Sequence, residues 1–355
     1  MKILYGVQGT GNGHITRARV MAEAFAKRDD VDVDFVFSGR PADKYFDMDV
    51  FGRYRTYTGL SFVTSHGRVD RIKTLRQAKA GQFIRDVRAF DVSSYDLLIN
   101  DFEPLTAWAA KRAGLPSISI SHQAAFTYNV PRAGETLTDK LIMRFFAPTD
   151  IKLGVHWYHF NQPIVPPFIE DTPTPHCENR HVLVYLPFED TSEIRLMLEP
   201  LSDQHFICFH PDVSVAHSTG HIQWQPTAKA AFHHALQHCS GVIANAGFEL
   251  SSEALQLGKK LLIKPLLGQF EQLSNVMTLD KLGLCQTLFV LDTDTVEEWL
   301  ATGQTEAVEF PRQPDVLIDW LIQGDWRNTQ PLCDALWKQV KFGSQTREKL
   351  MSLAI

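Results

Sequence analysis

The stretch that decides the fold runs from residue 242 to residue 275 and reads VIANAGFELSSEALQLGKKLLIKPLLGQFEQLSN. Residues 242–244 have the character of a short buried strand, residues 245–247 of a tight turn, and residues 250–257 of a helix. Residues 261–265 and 268–275 repeat this order. Two such units place two helix N-termini at one edge of a parallel sheet, where backbone amides and helix dipoles favour a phosphate. The stretch therefore predicts a site shaped for a nucleotide.

Composition predicts a soluble globular chain with two domains. The chain has 355 residues, which exceeds the usual size of one core, with 44% hydrophobic and 21% charged residues. No apolar run reaches membrane-spanning length, and residues 1–6 read as a first strand rather than a secretory signal. We therefore expect a cytoplasmic protein. The five cysteines form no CxxC pair, which argues against a disulfide framework and a zinc site.

Charge excludes one class of partner and suggests another. The net charge of −6 gives no support for nucleic acid. One stretch is nevertheless strongly basic, with only Asp70 and Asp86 opposing its cations. Its basic residues are Arg53, Arg55, Arg68, Arg71, Lys73, Arg76, Lys79, Arg85 and Arg88. The stretch is typical either of a solvated helix face or of a peripheral contact with an anionic membrane surface, which would make the cytoplasmic protein membrane-associated.

The N-terminus has a glycine-rich turn, GTGNGH at residues 9–14, between a strand at residues 3–8 and a helix at residues 16–27. A dinucleotide fold would have GxGxxG, but His14 occupies the place of the third glycine. No acid that could bind a ribose follows the second strand, at residues 31–37, so NAD is not expected. His14 follows the carboxyl end of the first strand, where α/β folds bind ligands. The alternative is a helix-capping histidine.

Two further polar residues follow predicted strands of the first half. Asp101 comes directly after a strand at residues 95–100, and His122 after a strand at residues 117–121. The carboxyl ends of parallel strands share one edge, so His14, Asp101 and His122 are expected to face one cleft. The alternative role for Asp101 is to cap the next helix, at residues 104–114. The alternative role for His122 is purely structural.

The alternation of strands and helices predicts an α/β protein with two doubly wound Rossmann-like domains facing across a cleft. We place the first domain at residues 1–162 and a proline-rich linker at residues 163–178, because five prolines occur between residues 163 and 175. The second domain is placed at residues 179–325. Residues 326–355 are expected to be helical, with a possible return to the first domain.

In motif order and spacing, the chain resembles the GT-B superfamily of nucleotide-sugar glycosyltransferases. The likeness includes the UDP-glycosyltransferases and the enzyme that adds N-acetylglucosamine to the lipid-linked cell-wall precursor. It spans most of both halves. The residues that carry it are the Trp-x-Pro start at Trp224, the Asn245-Ala246-Gly247 turn, Glu253, Gly258, Pro265, Glu271-Gln272 with Asn275, and the N-terminal glycine turn followed by Asp101.

The resemblance implies a role for each site residue. Trp224 would stack on uracil, Glu253 would bind the ribose hydroxyls, and Glu271 and Gln272 would contact the sugar. The full set of implied donor contacts is Gly11, Gly13, Trp224, Asn245, Ala246, Gly247, Ser251, Glu253, Glu271, Gln272 and Asn275. Arg17 and His122 would lie on the acceptor side. Each residue also has a purely structural alternative. Trp224 would be a core residue, Glu253 a carboxylate that stabilises the first turn of a helix, and Gln272 a surface residue.

The sequence departs from the family pattern at two positions near the diphosphate. Asn245 stands where many relatives have a histidine, and Leu250 stands where they have a serine or threonine. A hydroxyl contact to phosphate is therefore lost at Leu250. Ser251 and the amides of the helix are the expected substitutes.

The resemblance further implies a hexosyltransferase that inverts the anomeric carbon, with His14 as general base and Asp101 as its partner. No cofactor and no metal are expected, because helix N-termini neutralise the leaving diphosphate and neither Asp-x-Asp sequence, at 47–49 or 292–294, adjoins the donor site. The expected partners are a UDP-sugar, with UDP-N-acetylglucosamine as one candidate, and an acceptor such as a lipid-linked or cell-envelope glycan. A UDP-sugar 2-epimerase and a non-catalytic nucleotide-sugar-binding protein remain alternatives.

Overall fold

The computed structural model describes residues 1–60, 64–65, 68–69, 80–169, 181–303 and 305–353. These residues form two lobes, each built on a seven-stranded sheet. Helices cover both faces of each sheet, which confirms the predicted α/β class with two doubly wound domains.

The sheet of the first lobe is parallel throughout and has the strand order β3-β2-β1-β6-β7-β8-β9. The strands are β1 (Lys2–Gln8), β2 (Asp32–Ser38), β3 (Tyr54–Tyr57), a separate hairpin of β4 (Thr64–Ser65) and β5 (Arg68–Val69), β6 (Leu97–Asp101), β7 (Ser117–Ser121), β8 (Ile151–Val155) and β9 (Ile164–Val165). The order reverses between β1 and β6. The carboxyl ends of these two strands therefore flank a crevice, the place where open α/β sheets bind ligands.

The helices of the first lobe follow the capping signals of the sequence. They are α1 (Asn12–Phe25), α2 (Ala80–Ala89), α3 (Pro104–Ala113), α4 (His122–Ala125) and α5 (Leu137–Phe145). Helix α3 begins with a proline and stops at Gly114, whose φ of 72° is left-handed. Helix α1 begins at Asn12 instead of residue 16, because Gly11 is the extended N-cap residue. His14 consequently lies in the first helical turn.

The sheet of the second lobe has the strand order β12-β13-β11-β10-β14-β15-β16, with only β12 antiparallel among these strands. The strands are β10 (His181–Tyr185), β11 (His205–Phe209), β12 (His217–Thr219), β13 (Ile222–Gln225), β14 (Cys239–Asn245), β15 (Lys260–Lys264) and β16 (Gln286–Thr287). Here the order reverses between β10 and β14. The predicted Asn-Ala-Gly turn leaves β14 at this second switch point.

The helices of the second lobe divide between the two faces of the sheet. They are α6 (Thr191–Leu198), α7 (Lys229–His238), α8 (Phe248–Gln256), α9 (Phe270–Leu282), α10 (Thr293–Ala301), α11 (Asp315–Gln323), α12 (Gln330–Trp337) and α13 (Ser344–Leu353). Helices α6 and α10 share one apolar core with the sheet. Helices α7, α8 and α9 share the other core, which continues into the first lobe.

The last helices contact both lobes. Trp337 at the end of α12 donates from Nε1 to the carbonyl oxygen of Ile164 in β9, at 2.7 Å. Helix α13 packs against α9 of the second lobe. Because β9 belongs to the first sheet, that sheet extends to Val165, three residues beyond the boundary predicted at 162. Residues 170–180 of the predicted linker region lie outside the described residues.

The basic stretch is only partly described. Arg53 pairs with Asp32 at 2.7 Å, and Arg55 lies over the Phe90 ring and donates to the Tyr95 hydroxyl. Residues 71, 73, 76 and 79 lie outside the described residues, and so does the side chain of residue 68. Within the described part of the chain, no helix has the length and apolar character needed to cross a membrane.

Candidate functional site

His14 and Asp101 meet at the switch point of the first sheet. The His14 ring lies in the first turn of α1, and Asp101 is the last residue of β6, paired in register with Val7. His14 Nδ1 lies 2.8 Å from Asp101 Oδ1. Because the carboxylate accepts a hydrogen bond from Nδ1, Nε2 is the ring nitrogen left to take a proton. The His14 side chain keeps 15% of its surface exposed, while Asp101 has none.

Asp101 does not cap the following helix. The N-cap of α3 is Glu103, whose carboxylate accepts from the amides of Leu105 and Thr106. Between the two acids, Phe102 has a φ of 54°, a left-handed conformation that a bulky side chain rarely adopts. The chain turns sharply here, so that Asp101 reaches His14 and Glu103 reaches the helix.

Arg17 holds Asp101 from the opposite side. It lies one turn after His14 in α1 and donates from Nε to Asp101 Oδ2 and from a terminal nitrogen to Oδ1, both at 2.9 Å. The same terminal nitrogen lies 3.4 Å from His14 Nδ1. Burial opposes the charge of Asp101, but Arg17 and His14 together hold its pKa below the ordinary value. Asp101 is therefore an ionised partner of His14, and Arg17 holds both of its carboxylate oxygens.

Glu249 joins this cluster from the second lobe. It lies in the first turn of α8, and its carboxylate forms a hydrogen-bonded ion pair with the other terminal nitrogen of Arg17. Burial raises the pKa of Glu249 to about 7, against the opposing charge of Arg17, and Asp101 adds to the rise. Gly13 makes this approach possible, because a Cβ there would lie 2.6 Å from Glu249 Cγ. The two lobes thus touch across buried charges.

The turn predicted to hold the diphosphate is itself hydrogen-bonded. Asn245 donates from Nδ2 to the carbonyl oxygen of Lys264 at 3.1 Å, and its buried Oδ1 has no partner among the residues that the structure describes. Ser251 donates from Oγ to the carbonyl oxygen of Gly247, at 2.7 Å. Gly247 is the N-cap residue of α8 and, as a glycine, has no side chain that could cap the helix. A Cβ at this position would meet no atom closer than 4.0 Å. Among the described residues, space is therefore left beside the backbone at Gly247.

The α9 residues predicted to contact the sugar form hydrogen bonds within the protein. Gln272 accepts from the Leu266 amide at 3.0 Å. Glu271 accepts from Nε2 of Gln123, in the first lobe, at 3.0 Å. Asn275 donates to the carbonyl oxygen of Ala246 at 2.9 Å, which fixes the turn before α8. These contacts set the shape of the donor-side loops.

His122 lies buried between the lobes, with 1% of its surface exposed. Its Nδ1 pairs with the carbonyl oxygen of Val155 at 3.0 Å and its Nε2 with Oδ1 of Asn275 at 2.8 Å. The ring also stacks on Phe248, with centroids 4.0 Å apart. Burial lowers the pKa of His122. The structure brings His14, Asp101 and Arg17 together but places His122 in the lobe interface behind them.

Two other predicted donor residues lie on different sides of the second lobe. Glu253 is half-buried one turn after Glu249 in α8, so both acids lie on one face of that helix. Trp224 is buried, with 3% exposed, in the apolar core shared with α6 and α10. Trp224 also lines a cavity of about 540 Å³ together with His217 and the N-terminal residues Thr191 and Ser192 of α6.

The second switch point carries a charged pair that the sequence did not indicate. Lys264, at the end of β15, donates to Glu189 Oε1 at 2.7 Å, and both side chains are nearly buried. Both residues line a cavity of about 710 Å³. Among the described residues, no group of three or more histidine, cysteine or acidic side chains is arranged to hold a metal ion.

Glu249 is a further site residue that the sequence analysis missed. The predicted helix began at residue 250, which left Glu249 in the turn, whereas α8 begins at Phe248. The available signal was its spacing of four residues from Glu253, which puts two acids on one helix face. Arg17 was predicted, but on the acceptor side, and its contacts with Asp101 and Glu249 required the tertiary structure.

Comparison with known proteins gives the class. The model of the family described as Glycosyl transferase family 1 matches residues 1–302. No curated protein matches the chain in sequence. The two lobes are those of a glycosyltransferase with the GT-B fold. The chain belongs to glycosyl transferase family 1.

Solved structures share the fold at low sequence identity. The glycotransferase of kitacinnamycin is 14% identical with a TM-score of 0.56, over 99% of this chain and 97% of that one. A UGT from Siraitia grosvenorii in complex with UDP is 13% identical with a TM-score of 0.58, over 99% and 98%. UGT2 of Phytolacca americana, complexed with UDP-2fluoro-glucose and pterostilbene, is 12% identical with a TM-score of 0.59, over 99% and 98%.

Replacing Gly13 with alanine should separate the lobes locally. The new Cβ would lie 2.6 Å from Glu249 Cγ, whereas a Cβ at Gly11 would meet no atom within 4 Å. We expect Gly13→Ala to reduce the free energy of unfolding by about 1–3 kcal/mol and Gly11→Ala to change it little. Chemical denaturation of both variants checks this. Equal stabilities would show that Glu249 does not approach Gly13 closely.

Glu249→Gln should gain stability over the wild type as pH rises. The pKa of Glu249 is 4.5 without burial and about 7 in the folded protein. Between these values the folded state keeps a proton that the unfolded state has lost, so wild-type stability falls as pH increases through this window. Glutamine does not titrate. The melting temperature of Glu249→Gln minus that of the wild type should therefore grow between about pH 5 and about pH 8. A constant or shrinking difference would contradict the burial of this carboxyl.

Proposed function

We propose that this glycosyltransferase moves a sugar from a UDP-sugar to an acceptor hydroxyl with inversion at the anomeric carbon. The observation that carries the proposal is the His14–Asp101 pair, at 2.8 Å, at the switch point of the first sheet. It lies beside the first turn of α8, because Arg17 connects Asp101 to Glu249. A base on one lobe thus lies near a helix N-terminus on the other.

In the proposed reaction, His14 Nε2 takes the proton of the acceptor hydroxyl. The acceptor oxygen attacks the anomeric carbon, the bond from that carbon to the phosphate oxygen breaks, and UDP leaves with the bonding electron pair. Asp101 keeps Nδ1 protonated and stabilises the imidazolium that forms. General-base catalysis of this kind contributes a factor of about 100 to 10,000.

The donor side of the proposal rests on the α8 N-terminus. Gly247 leaves the first amides of α8 without a side-chain cap and with open space beside the backbone. Such amides and the helix dipole favour a diphosphate, and we propose that they stabilise the leaving UDP in place of a divalent cation. The half-buried Glu253 is the proposed partner of the ribose hydroxyls.

His14→Ala should lower turnover about 100- to 10,000-fold, because the base is lost. Binding of UDP, measured by calorimetry, should stay nearly unchanged, because the proposed nucleotide contacts lie on the other lobe. The exposed His205, at the start of β11, is a matched control, and His205→Ala should keep full turnover. Unchanged turnover in His14→Ala would remove His14 from the mechanism.

Incubation of the protein with a UDP-sugar and no acceptor separates the proposal from its alternatives. A transferase leaves the sugar configuration of the donor unchanged, apart from slow hydrolysis. An epimerised sugar nucleotide would identify a UDP-sugar 2-epimerase. Binding without hydrolysis or transfer to any acceptor in a glycan panel would identify a non-catalytic nucleotide-sugar-binding protein.

A further inference from the structure

Arg17 contacts acids of both lobes at once. It grips both oxygens of Asp101 at the end of β6 and forms an ion pair with Glu249 in the first turn of α8. Only 3% of the Arg17 side chain is exposed. A guanidinium buried in this way keeps its charge, and its planar fork fits a carboxylate in two-point geometry. The same residue thus binds the partner of His14 and the helix of the proposed donor site.

We propose that Arg17 and Glu249 are positioning residues for the sugar transfer. Arg17 fixes the Asp101 carboxylate against His14, and Glu249 fixes the Arg17 guanidinium from the other lobe. This inference rests on the proposed function, because it concerns the same base.

The first step of the argument is geometric. Asp101 Oδ1 accepts from His14 Nδ1 at 2.8 Å and from Arg17 at 2.9 Å, while Oδ2 accepts only from Arg17 among the described residues. Arg17 therefore sets the plane of the carboxylate, and the carboxylate sets the plane of the imidazole. A lysine at this position would keep the charge but not the two-point grip.

The second step concerns the contact that holds Arg17. Asp101 takes Nε and one terminal nitrogen of the guanidinium, and Glu249 takes the other terminal nitrogen. Without Glu249, the guanidinium loses its contact with the second lobe, and the orientation of the Asp101 carboxylate is less closely fixed.

The third step concerns the approach of the two lobes. Glu249 reaches Arg17 only because α8 and α1 touch at Gly13. Another ion pair also connects the lobes: Arg28 contacts Asp319 of α11 at 2.6 Å, but the Arg28 side chain keeps 33% of its surface exposed and that of Asp319 keeps 51%. Arg28 is therefore a matched control, since it joins the lobes without contacting Asp101 or His14.

The decisive pair of variants is Glu249→Leu, which removes the contact with Arg17, and Glu249→Gln, which keeps the shape and an oxygen that accepts from Arg17. We expect Glu249→Leu to lower kcat on the order of 10-fold, because the His14–Asp101 pair is misplaced, and Glu249→Gln to keep most of the wild-type kcat. The KM for the UDP-sugar should change little in either variant. A purely structural role of Glu249 would not confine the loss to kcat.

The third variant is Arg17→Lys, which we expect to lower kcat on the order of 10- to 100-fold through misplacement of the His14–Asp101 pair. Arg28→Lys should leave kcat and KM unchanged. Melting temperatures of all variants separate lost folding from lost positioning, and the Glu249 variants carry the test if Arg17→Lys does not fold.

The outcomes separate this inference from the proposed function. Wild-type kcat in both Arg17→Lys and Glu249→Leu would overturn the inference, and so would a Glu249→Gln variant whose kcat is as low as that of Glu249→Leu. If His14→Ala is inactive in the same assay, the proposed transferase mechanism stands despite that failure. If His14→Ala is fully active, the proposed mechanism itself fails.

Discussion

The structure depends on the buried ion pair between Arg17 and Asp101. Neither side chain has meaningful contact with solvent, with exposed fractions of 3% and 0%. An unpaired carboxylate at such a position would be strongly unfavourable, and removing one partner of a buried pair typically costs about 3–5 kcal/mol. The pair therefore fixes α1 against β6. That constraint also determines where the His14 ring can lie.

Topology explains why this pair lies at a functional position. Each sheet reverses its strand order once, between β1 and β6 in the first lobe and between β10 and β14 in the second. Each reversal opens a crevice at the carboxyl ends of the strands. The first crevice carries His14 and Asp101, and the second carries the turn at Gly247 and the N-terminus of α8. Glu249 and Arg17 connect the two crevices, so the chemistry of each depends on the position of the other lobe.

Much of the fold followed from the sequence because strand order and switch points depend on local patterns. Buried strands with polar residues at their carboxyl ends identified the positions of His14 and Asp101. The contact between Gly13 and Glu249 could not be predicted, because it depends on how closely the two lobes approach each other. The two residues lie more than 200 positions apart in the chain. The orientation of Trp224 toward α6 and α10 depends on which face of β13 is covered, and the burial of His122 depends on Phe248 from the other lobe. Local sequence carries neither piece of information.

The most direct test of the account is a crystal structure with a UDP-sugar bound. The account predicts the diphosphate at the amides that follow Gly247 and the anomeric carbon facing Nε2 of His14, with the Arg17–Glu249 contact in place. A donor bound away from the α8 N-terminus, or a His14 ring turned out of the space between the lobes, would contradict it.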